Sequence, residues 1–252
     1  MFVDRLDPGG RYLGVTALAY DACMPPGTVF DDDQVHLETL RRAGGTGLEL
    51  GVGNGRFLLA ALDQGLTVEG IDRSPDMLER CRHHLAIRRM HAELHQGEFA
   101  PLALGRTYDS IVATAGSFSL VTDPVLAAAS LRSCHDHLVP GGALSISMFT
   151  SDGRGTTRFV WRLRRTGTDD ATGLTYVTHE STGLDPAPQT ILTYNRIETY
   201  DPDGELVATR LNKLRLRWWQ QDELVDAVRT AGFEAVRVFG GSDGWVLTAR
   251  RA

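Results

Sequence analysis

Residues 48–57 read LELGVGNGRF, an apolar strand pattern that runs directly into three closely spaced glycines. Glycine tolerates the sharp turn that must follow such a strand, and its missing Cβ lets a ligand approach the main chain. The helix predicted from Arg56 presents free N–H groups and the positive end of its dipole at this turn. A carboxylate or phosphate fits there, although a strand–turn–helix without a ligand has the same pattern.

The spacing of the glycines distinguishes between ligands. A dinucleotide fingerprint has the pattern G-x-G-x-x-G, whereas here Gly55 comes one position early and Arg56 stands in the third place. The next strand pattern, residues 67–71, is followed by Asp72. A carboxylate there can accept hydrogen bonds from both ribose hydroxyls of an adenosyl group. Ser74 already supplies the cap of the following helix, which leaves Asp72 for that role.

Strand and helix patterns alternate from these motifs to about residue 150, and they resume after residue 218. Such alternation predicts parallel βαβ units. Residues 151–217 break it with four strand patterns and a turn signal at Asp201-Pro202-Asp203-Gly204. We therefore expect an antiparallel insertion over one end of a parallel sheet.

Composition excludes several classes of protein. The chain has 252 residues, 42% of them hydrophobic, which suffices for one sizeable core. Its formal charge of −6 disfavours a nucleic-acid partner, because phosphate contacts need a basic surface. Three cysteines without C-x-x-C spacing indicate neither a disulfide framework nor a metal site, and they fit a reducing compartment. No apolar run approaches the ~18 residues of a membrane span, so we expect a cytoplasmic protein without a membrane partner.

Three later stretches complete the pattern: HQGEFAPLAL (95–104), YDSIVATAGSFSLV (108–121) and LRSCHDHLVPGGALSISMF (131–149). In their order and spacing, the motifs resemble class I S-adenosylmethionine-dependent methyltransferases. The resemblance implies an α/β fold with a Rossmann-like seven-stranded sheet whose last strand is antiparallel. It implies a single domain, 1–252, with an N-terminal helical cap (1–44), a cofactor-binding core (45–150 and 218–252) and a β insertion over the active site (151–217).

The resemblance also implies the residues that bind the cofactor, S-adenosylmethionine. The glycines line its methionine end, Glu49 supports their loop, and Asp72 holds the ribose. Glu98 stands where the family more often has Asp. A tyrosine in the Ala19-Tyr20-Asp21 segment covers the cofactor, since a cation is favoured at an aromatic face. The implied cofactor-binding residues are Tyr20, Glu49, Gly51, Gly53, Gly55, Asp72, Arg73, Met77, Glu98, Phe99 and Ala115.

The acceptor is expected to be a small molecule. Residues 114–118 lack the proline-proline-aromatic sequence of DNA amino-methyltransferases. A neutral amine needs no strong base during methyl transfer, whereas a hydroxyl needs one, for which His179 is the best candidate. The expected pocket residues are Tyr12, Phe118, Trp161, Tyr176 and Asn195.

Overall resemblance favours an amine of a sugar, an amino acid or another secondary metabolite as the acceptor. Two alternatives stay open, an O-methyltransferase for a hydroxylated metabolite and a binding module that keeps the cofactor without catalysis. A nicotinamide-dependent oxidoreductase is disfavoured by Arg56 in the third fingerprint position. The sequence does not decide the oligomeric state, and a homo-oligomer is among the alternatives.

Overall fold

The computed structural model describes residues 12–98, 102–150, 160–184, 189–240 and 244–252. The helices are α1 (Val15–Cys23), α2 (Asp33–Ala43), α3 (Arg56–Asp63), α4 (Pro75–Arg88), α5 (Pro124–Asp136) and α6 (Gln221–Thr230), with a 3-10 helix at Ser117–Leu120. The strands are β1 (Thr46–Leu50), β2 (Thr67–Asp72), β3 (Leu94–Gln96), β4 (Tyr108–Ala113), β5 (Leu138–Phe149), β6 (Arg162–Thr168), β7 (Thr175–Leu184), β8 (Thr190–Tyr200), β9 (Leu206–Arg217), β10 (Phe233–Gly240) and β11 (Gly244–Arg251).

Seven strands form the main sheet, in the order β10-β11-β5-β4-β1-β2-β3. β1 is parallel to both β2 and β4, and β4 is parallel to β5. The last strand, β11, is antiparallel to both of its neighbours. The predicted α/β fold with an antiparallel last strand is confirmed. The strand order reverses between β1 and β4, and in open α/β sheets a crevice forms at the carboxyl ends of the strands at such a point.

A separate four-stranded antiparallel sheet has the order β6-β7-β8-β9. We call it the roof sheet. It confirms the antiparallel sheet expected between residues 151 and 217. β6 carries a bulge between Leu163 and Arg165. A bulge re-aims side chains, and consequently Arg164 and Arg165, although adjacent in sequence, both line the same cavity.

Two hydrophobic clusters lie on the main sheet and hold helices against it. One joins β4, β5 and β11 to α5 and α6 through residues such as Leu131, Ile146 and Leu224. The other joins β2 and β4 to α2, α3 and α4 through Val68, Phe57 and Leu78, among others. No described helix has the length and apolar character needed to cross a membrane.

Two helices begin at side-chain caps, and the one at Ser74 was predicted from the sequence. The Ser74 hydroxyl accepts a hydrogen bond from the Met77 N–H at 3.1 Å, and Pro75 occupies the first turn of α4. Asp123 accepts from the Val125 N–H at 2.7 Å, ahead of α5. These caps satisfy backbone donors that a helix leaves unpaired at its start, and they fix where the loops after β2 and β4 end.

Candidate functional site

A cavity of about 1210 Å³ lies between the carboxyl ends of the central parallel strands and the roof sheet. Its floor includes Glu49 at the end of β1, the loop after β1, and Asp72 at the end of β2. Ala115, after β4, lines the same space. The cavity therefore occupies the crevice that the strand order creates.

The loop after β1 turns through glycines with left-handed backbone angles. Gly51 has φ 70° and Gly53 has φ 55°, a region that favours glycine. The Gly53 N–H donates to the Asp72 Oδ2 at 2.9 Å, and the Ser74 N–H donates to the Oδ1 at 2.8 Å. An ionised carboxylate has about four acceptor positions, so Asp72 is fixed in place and can still accept from a ligand's hydroxyls.

Glu49 is a buried acid, only 1% exposed, beside this loop. Its Oε1 accepts a hydrogen bond from the Thr114 hydroxyl at 2.8 Å, while its Oε2 has no hydrogen-bond partner among the described residues. Burial raises the pKa of Glu49 from 4.5 to about 8, against the opposing effect of the Thr114 hydrogen bond. Glu49 is therefore largely protonated at neutral pH.

The turn after β4 is strained where it meets the cavity. Ala115 has φ 51° and is followed by Gly116 with φ 71°. A left-handed backbone at a residue other than glycine is costly, and it persists where the surroundings enforce it. The surrounding structure therefore holds Ala115 at the cavity floor in this left-handed conformation. A larger side chain at this position would not reduce the backbone strain.

Tyr12 and Tyr20 cover one side of the cavity from the N-terminal segment. Their rings meet edge to face, with centroids 5.4 Å apart. Burial raises the pKa of both hydroxyls, and Tyr20, Asp72 and Glu180 raise that of Tyr12 further. Both phenols therefore stay neutral and present apolar rings with a hydrogen-bonding group.

Asp21 fastens α1 to the site. This carboxylate is 4% exposed and accepts hydrogen bonds from Asn54 at 2.8 Å, Arg80 at 2.6 Å and His84 at 2.7 Å. Asn54 also donates to the Met24 carbonyl at 2.9 Å. Since Asn54 lies within the glycine loop, α1 and the loop are held by the same side chain.

Arg56 plays a corresponding part for α2. Its guanidinium donates to both Asp33 oxygens, at 2.6 and 2.9 Å, and lies 4.1 Å from the centroid of the Phe30 ring. The pair is buried, with side chains 5% and 8% exposed. A bidentate arginine–carboxylate pair is geometrically specific. It explains why this position, glycine in a dinucleotide fingerprint, is arginine here.

Most of the residues expected at the cofactor and acceptor sites line the one cavity. They are Tyr12, Tyr20, Glu49, Gly51, Gly53, Asp72, Arg73, Met77, Glu98, Ala115 and Asn195. At the rim, Arg73 and Glu98 form an ion pair at 3.8 Å. Phe99 lies outside the described residues.

Two expected residues lie in the protein interior instead. A Cβ at Gly55 would stand 2.7 Å from the Cys81 Sγ, so the glycine allows α3 and α4 to pack closely. Phe118 belongs to the 3-10 helix, where it is fully buried against Trp219, with ring centroids 6.2 Å apart. Neither residue lines the cavity.

Three expected residues of the roof sheet also lie off the cavity. Thr178 and Glu180 line it, and strand alternation turns His179 to the other face, 4.0 Å from Glu198. Tyr176 is buried in a cluster with Ala19 of α1. Trp161 is exposed, and its ring centroid lies 5.3 Å from the Arg196 guanidinium carbon.

Sequence analysis did not assign several side chains of the site. Thr114 directly follows β4, so it lies at the carboxyl edge of the sheet. Its position after a predicted strand could have identified it as a site residue from the sequence. Asn54 stands inside the glycine motif, but its partner Asp21 is remote in sequence. The remaining residues, Arg164, Arg165 and Asn212, reach the cavity only through the register of the roof sheet.

Within the part of the chain that the structure describes, one group of side chains brings metal-ligand atoms together: Glu69, Glu93 and His95. Glu69 already accepts from Arg106 at 2.6 Å, from Tyr108 at 2.8 Å and from His95, which lies at 2.9 Å. These three contacts take up most of the acceptor positions of the carboxylate. The group is a hydrogen-bonded cluster at the β2–β3 edge.

Comparison with known families identifies the domain. Residues 48–142 match the family described as methyltransferase domain. The chain contains a methyltransferase domain. This match confirms the resemblance seen in the sequence. It also confirms the expectation that the protein is a methyltransferase. No curated protein matches the chain.

Solved structures share the fold of this methyltransferase. The sugar N-methyltransferase KedS8 from Streptoalloteichus sp ATCC 53650 is 19% identical, with a TM-score of 0.75 over 100% of this chain and 98% of its own. CcbJ from Streptomyces caelestis is 24% identical, with a TM-score of 0.74 over 99% of both chains. SAM-bound CalS10, an amino pentose methyltransferase from Micromonospora echinaspora, is 20% identical, with a TM-score of 0.72 over 100% of both chains.

Proposed function

We propose that this methyltransferase transfers a methyl group from S-adenosylmethionine to an amine of a small molecule. The observation that carries the proposal is the pairing of the glycine loop with Asp72 on the floor of a covered cavity. S-adenosylmethionine supplies a methyl group bonded to a positively charged sulfur. The residues present fit this donor.

Asp72 is the ribose ligand in this proposal. Its carboxylate is held by the Gly53 and Ser74 N–H groups and keeps acceptor positions for the two ribose hydroxyls. Gly51 and Gly53 present main chain without a Cβ, so the methionine end of the donor can lie against them. Met77 lines the adjacent cavity wall and offers an apolar surface to the adenine.

Tyr20 faces the same space, and its neutral ring favours the positive sulfonium. The enzyme's main task is alignment, since methyl transfer from a sulfonium needs the acceptor nitrogen in line with the breaking bond. Tyr12, Tyr20 and the roof sheet cover the cavity and keep water away from that line.

The position of His179 supports an amine over a hydroxyl acceptor. A hydroxyl needs a base close to it, and His179 points away from the cavity on the outer face of the roof sheet. No described histidine lines the cavity, so the base for a hydroxyl acceptor would have to be a carboxylate such as Glu180. The comparisons add support, because KedS8 is a sugar N-methyltransferase and CalS10 an amino pentose methyltransferase.

The proposal includes the division of the chain into a cap (1–44), a core (45–150 and 218–252) and an insertion (151–217). It also includes a small molecule as the binding partner.

The acceptor can be identified with a panel of metabolites. Each is incubated with S-adenosylmethionine that carries a deuterated methyl group, and mass spectrometry identifies the acceptor and the atom methylated.

Replacing Asp72 tests the donor site directly. D72A is expected to weaken S-adenosylhomocysteine binding by roughly 100-fold, because each hydrogen bond to a charged group contributes about 1.5–3 kcal/mol. Calorimetric titration measures the affinity. D63N, which removes an exposed carboxylate paired with Arg88, is the control and should bind as the natural protein does. Equal affinity of D72A and D63N would contradict the assignment.

A further inference from the structure

The cavity face of the roof sheet carries a row of polar side chains. Asn195 of β8 pairs directly with Glu180 of β7 on one side and with Asn212 of β9 on the other. Directly paired residues share a face of the sheet, and all three line the cavity. We call these residues the amide row. Ile197 and Leu214, which also line the cavity, flank it with apolar surface.

Asn212 is the most buried member of the row. Asn212 is only 3% exposed, and its Oδ1 is buried with no hydrogen-bond partner among the described residues. A buried amide oxygen without a donor is unfavourable, and native proteins keep few such groups. A ligand in the cavity that brings an N–H or O–H group to this amide would supply the missing bond.

Glu180 adds a negative charge to the row. Its contacts are long, at 3.4 Å from the Thr182 hydroxyl and 3.5 Å from the Arg164 Nε. Glu180 is also close enough to Tyr12 to raise the pKa of that phenol, so it stands near the tyrosines that cover the donor side of the cavity. The row thus presents acceptor oxygens and a carboxylate toward the space between the roof sheet and the floor.

We propose that the amide row binds the amino group of the acceptor. Carboxylate and amide oxygens suit a group that has several N–H donors and gains a positive charge on protonation, which describes an amine better than a hydroxyl. The inference rests on the proposed function, and it adds the residues that choose the acceptor. A site built to bond an N–H rejects an analogue that lacks it, because its buried polar groups are then left unpaired.

The test uses the full protein loaded with S-adenosylhomocysteine. The probes are amino sugars and cyclic amines, each paired with its counterpart without the nitrogen, such as D-glucosamine and 2-deoxy-D-glucose. Binding is measured by calorimetry or ligand-observed NMR. The variants are N212L, which keeps the branched shape of the side chain and removes the amide, and E180Q, which keeps the shape and removes the charge. The control is Y200F, on the opposite face of β8, where the Tyr200 hydroxyl donates to Glu198 at 3.1 Å.

Amine probes are expected to bind the natural protein more tightly than their counterparts, and N212L is expected to lose about tenfold or more of that preference. N212L should keep its affinity for S-adenosylhomocysteine and its melting temperature, because leucine leaves no buried acceptor unpaired. Y200F should match the natural protein. If N212L does not fold, E180Q carries the test, with an expected loss of amine binding in the same direction.

Three results would overturn the assignment of the amide row. N212L and E180Q binding amines as well as Y200F does would exclude a role in recognition. A fall in melting temperature and in S-adenosylhomocysteine affinity together with amine affinity would show a structural role. A natural protein that binds S-adenosylhomocysteine but no amine in the panel would remove amine recognition by the row. Failure to bind S-adenosylhomocysteine at all would instead overturn the proposed function.

Discussion

Replacing Glu49 by glutamine tests whether the buried acid at the end of β1 is neutral in the folded protein. Glutamine has nearly the same shape, and its amide oxygen can still accept the hydrogen bond from Thr114. The variant E49Q therefore removes only the ability to ionise. Its effect on stability should depend on pH in a way that the raised pKa of Glu49 determines.

The magnitude follows from the difference between the two pKa values. Burial raises the pKa of Glu49 from 4.5 to about 8 in the folded state. Below the lower value both states are protonated, and the folded protein has its full stability. As the pH rises toward the higher value, the unfolded state loses its proton first, and stability falls by about 1.4 kcal/mol for each pH unit. The total loss is on the order of 3–5 kcal/mol.

E49Q has no such loss, so its advantage over the natural protein should grow with pH. We expect a gain in unfolding free energy near 1 kcal/mol at about pH 5 and roughly 4 kcal/mol at about pH 8. Urea denaturation of both ligand-free proteins at the two pH values measures it. E79Q, which alters an exposed glutamate of α4, controls for the loss of a charge. A gain that stays constant with pH, or that reverses, would refute a neutral Glu49.

Two further substitutions probe the packing that supports the loop. D33A leaves the Arg56 guanidinium buried without its bidentate partner and should lower the unfolding free energy by about 3–5 kcal/mol; the apolar pair D33L/R56M should recover most of it, and a double variant as unstable as D33A would contradict this. G55A combines a φ of 86° with a Cβ 2.7 Å from the Cys81 Sγ and should cost about 1–3 kcal/mol in thermal denaturation. Adding C81A removes the contact but keeps the backbone strain, so the double variant should recover part of the stability lost in G55A. If the losses of stability in G55A and C81A simply added in the double variant, the contact would not be the cause.

Signals that act over a few residues predicted the frame of the molecule. Ser74 sets the start of α4 as predicted, because a cap and its helix are neighbours in sequence. The glycine motif and Asp72 were expected to bind the same ligand, and the carboxyl ends of adjacent parallel strands do lie at one edge of a sheet. The hydrogen bond from the Gly53 N–H to Asp72 shows that the two meet there.

Side chains whose position depends on tertiary register were not predictable in the same way. Whether His179 or Glu180 faces the cavity depends on which face of β7 is covered, and a shift of one residue exchanges the two. Phe118 was expected in the pocket, but the 3-10 turn carries it into the core against Trp219. Asp21 and Asn54 meet across a fold that no local pattern describes.

The N-terminal helices α1 and α2 are anchored at the glycine loop. This anchoring links ligand binding at the loop to the stability of the two helices. Asp21 grips Asn54 and Asp33 grips Arg56, so Asn54 in the glycine loop and Arg56 at the start of α3 anchor both helices. A molecule that binds and orders the loop must also stabilise these anchoring contacts, because a coupling free energy between two sites is the same in both directions. Ligand binding at the cavity floor is therefore expected to increase the protection of α1 and α2 from proteolysis and hydrogen exchange.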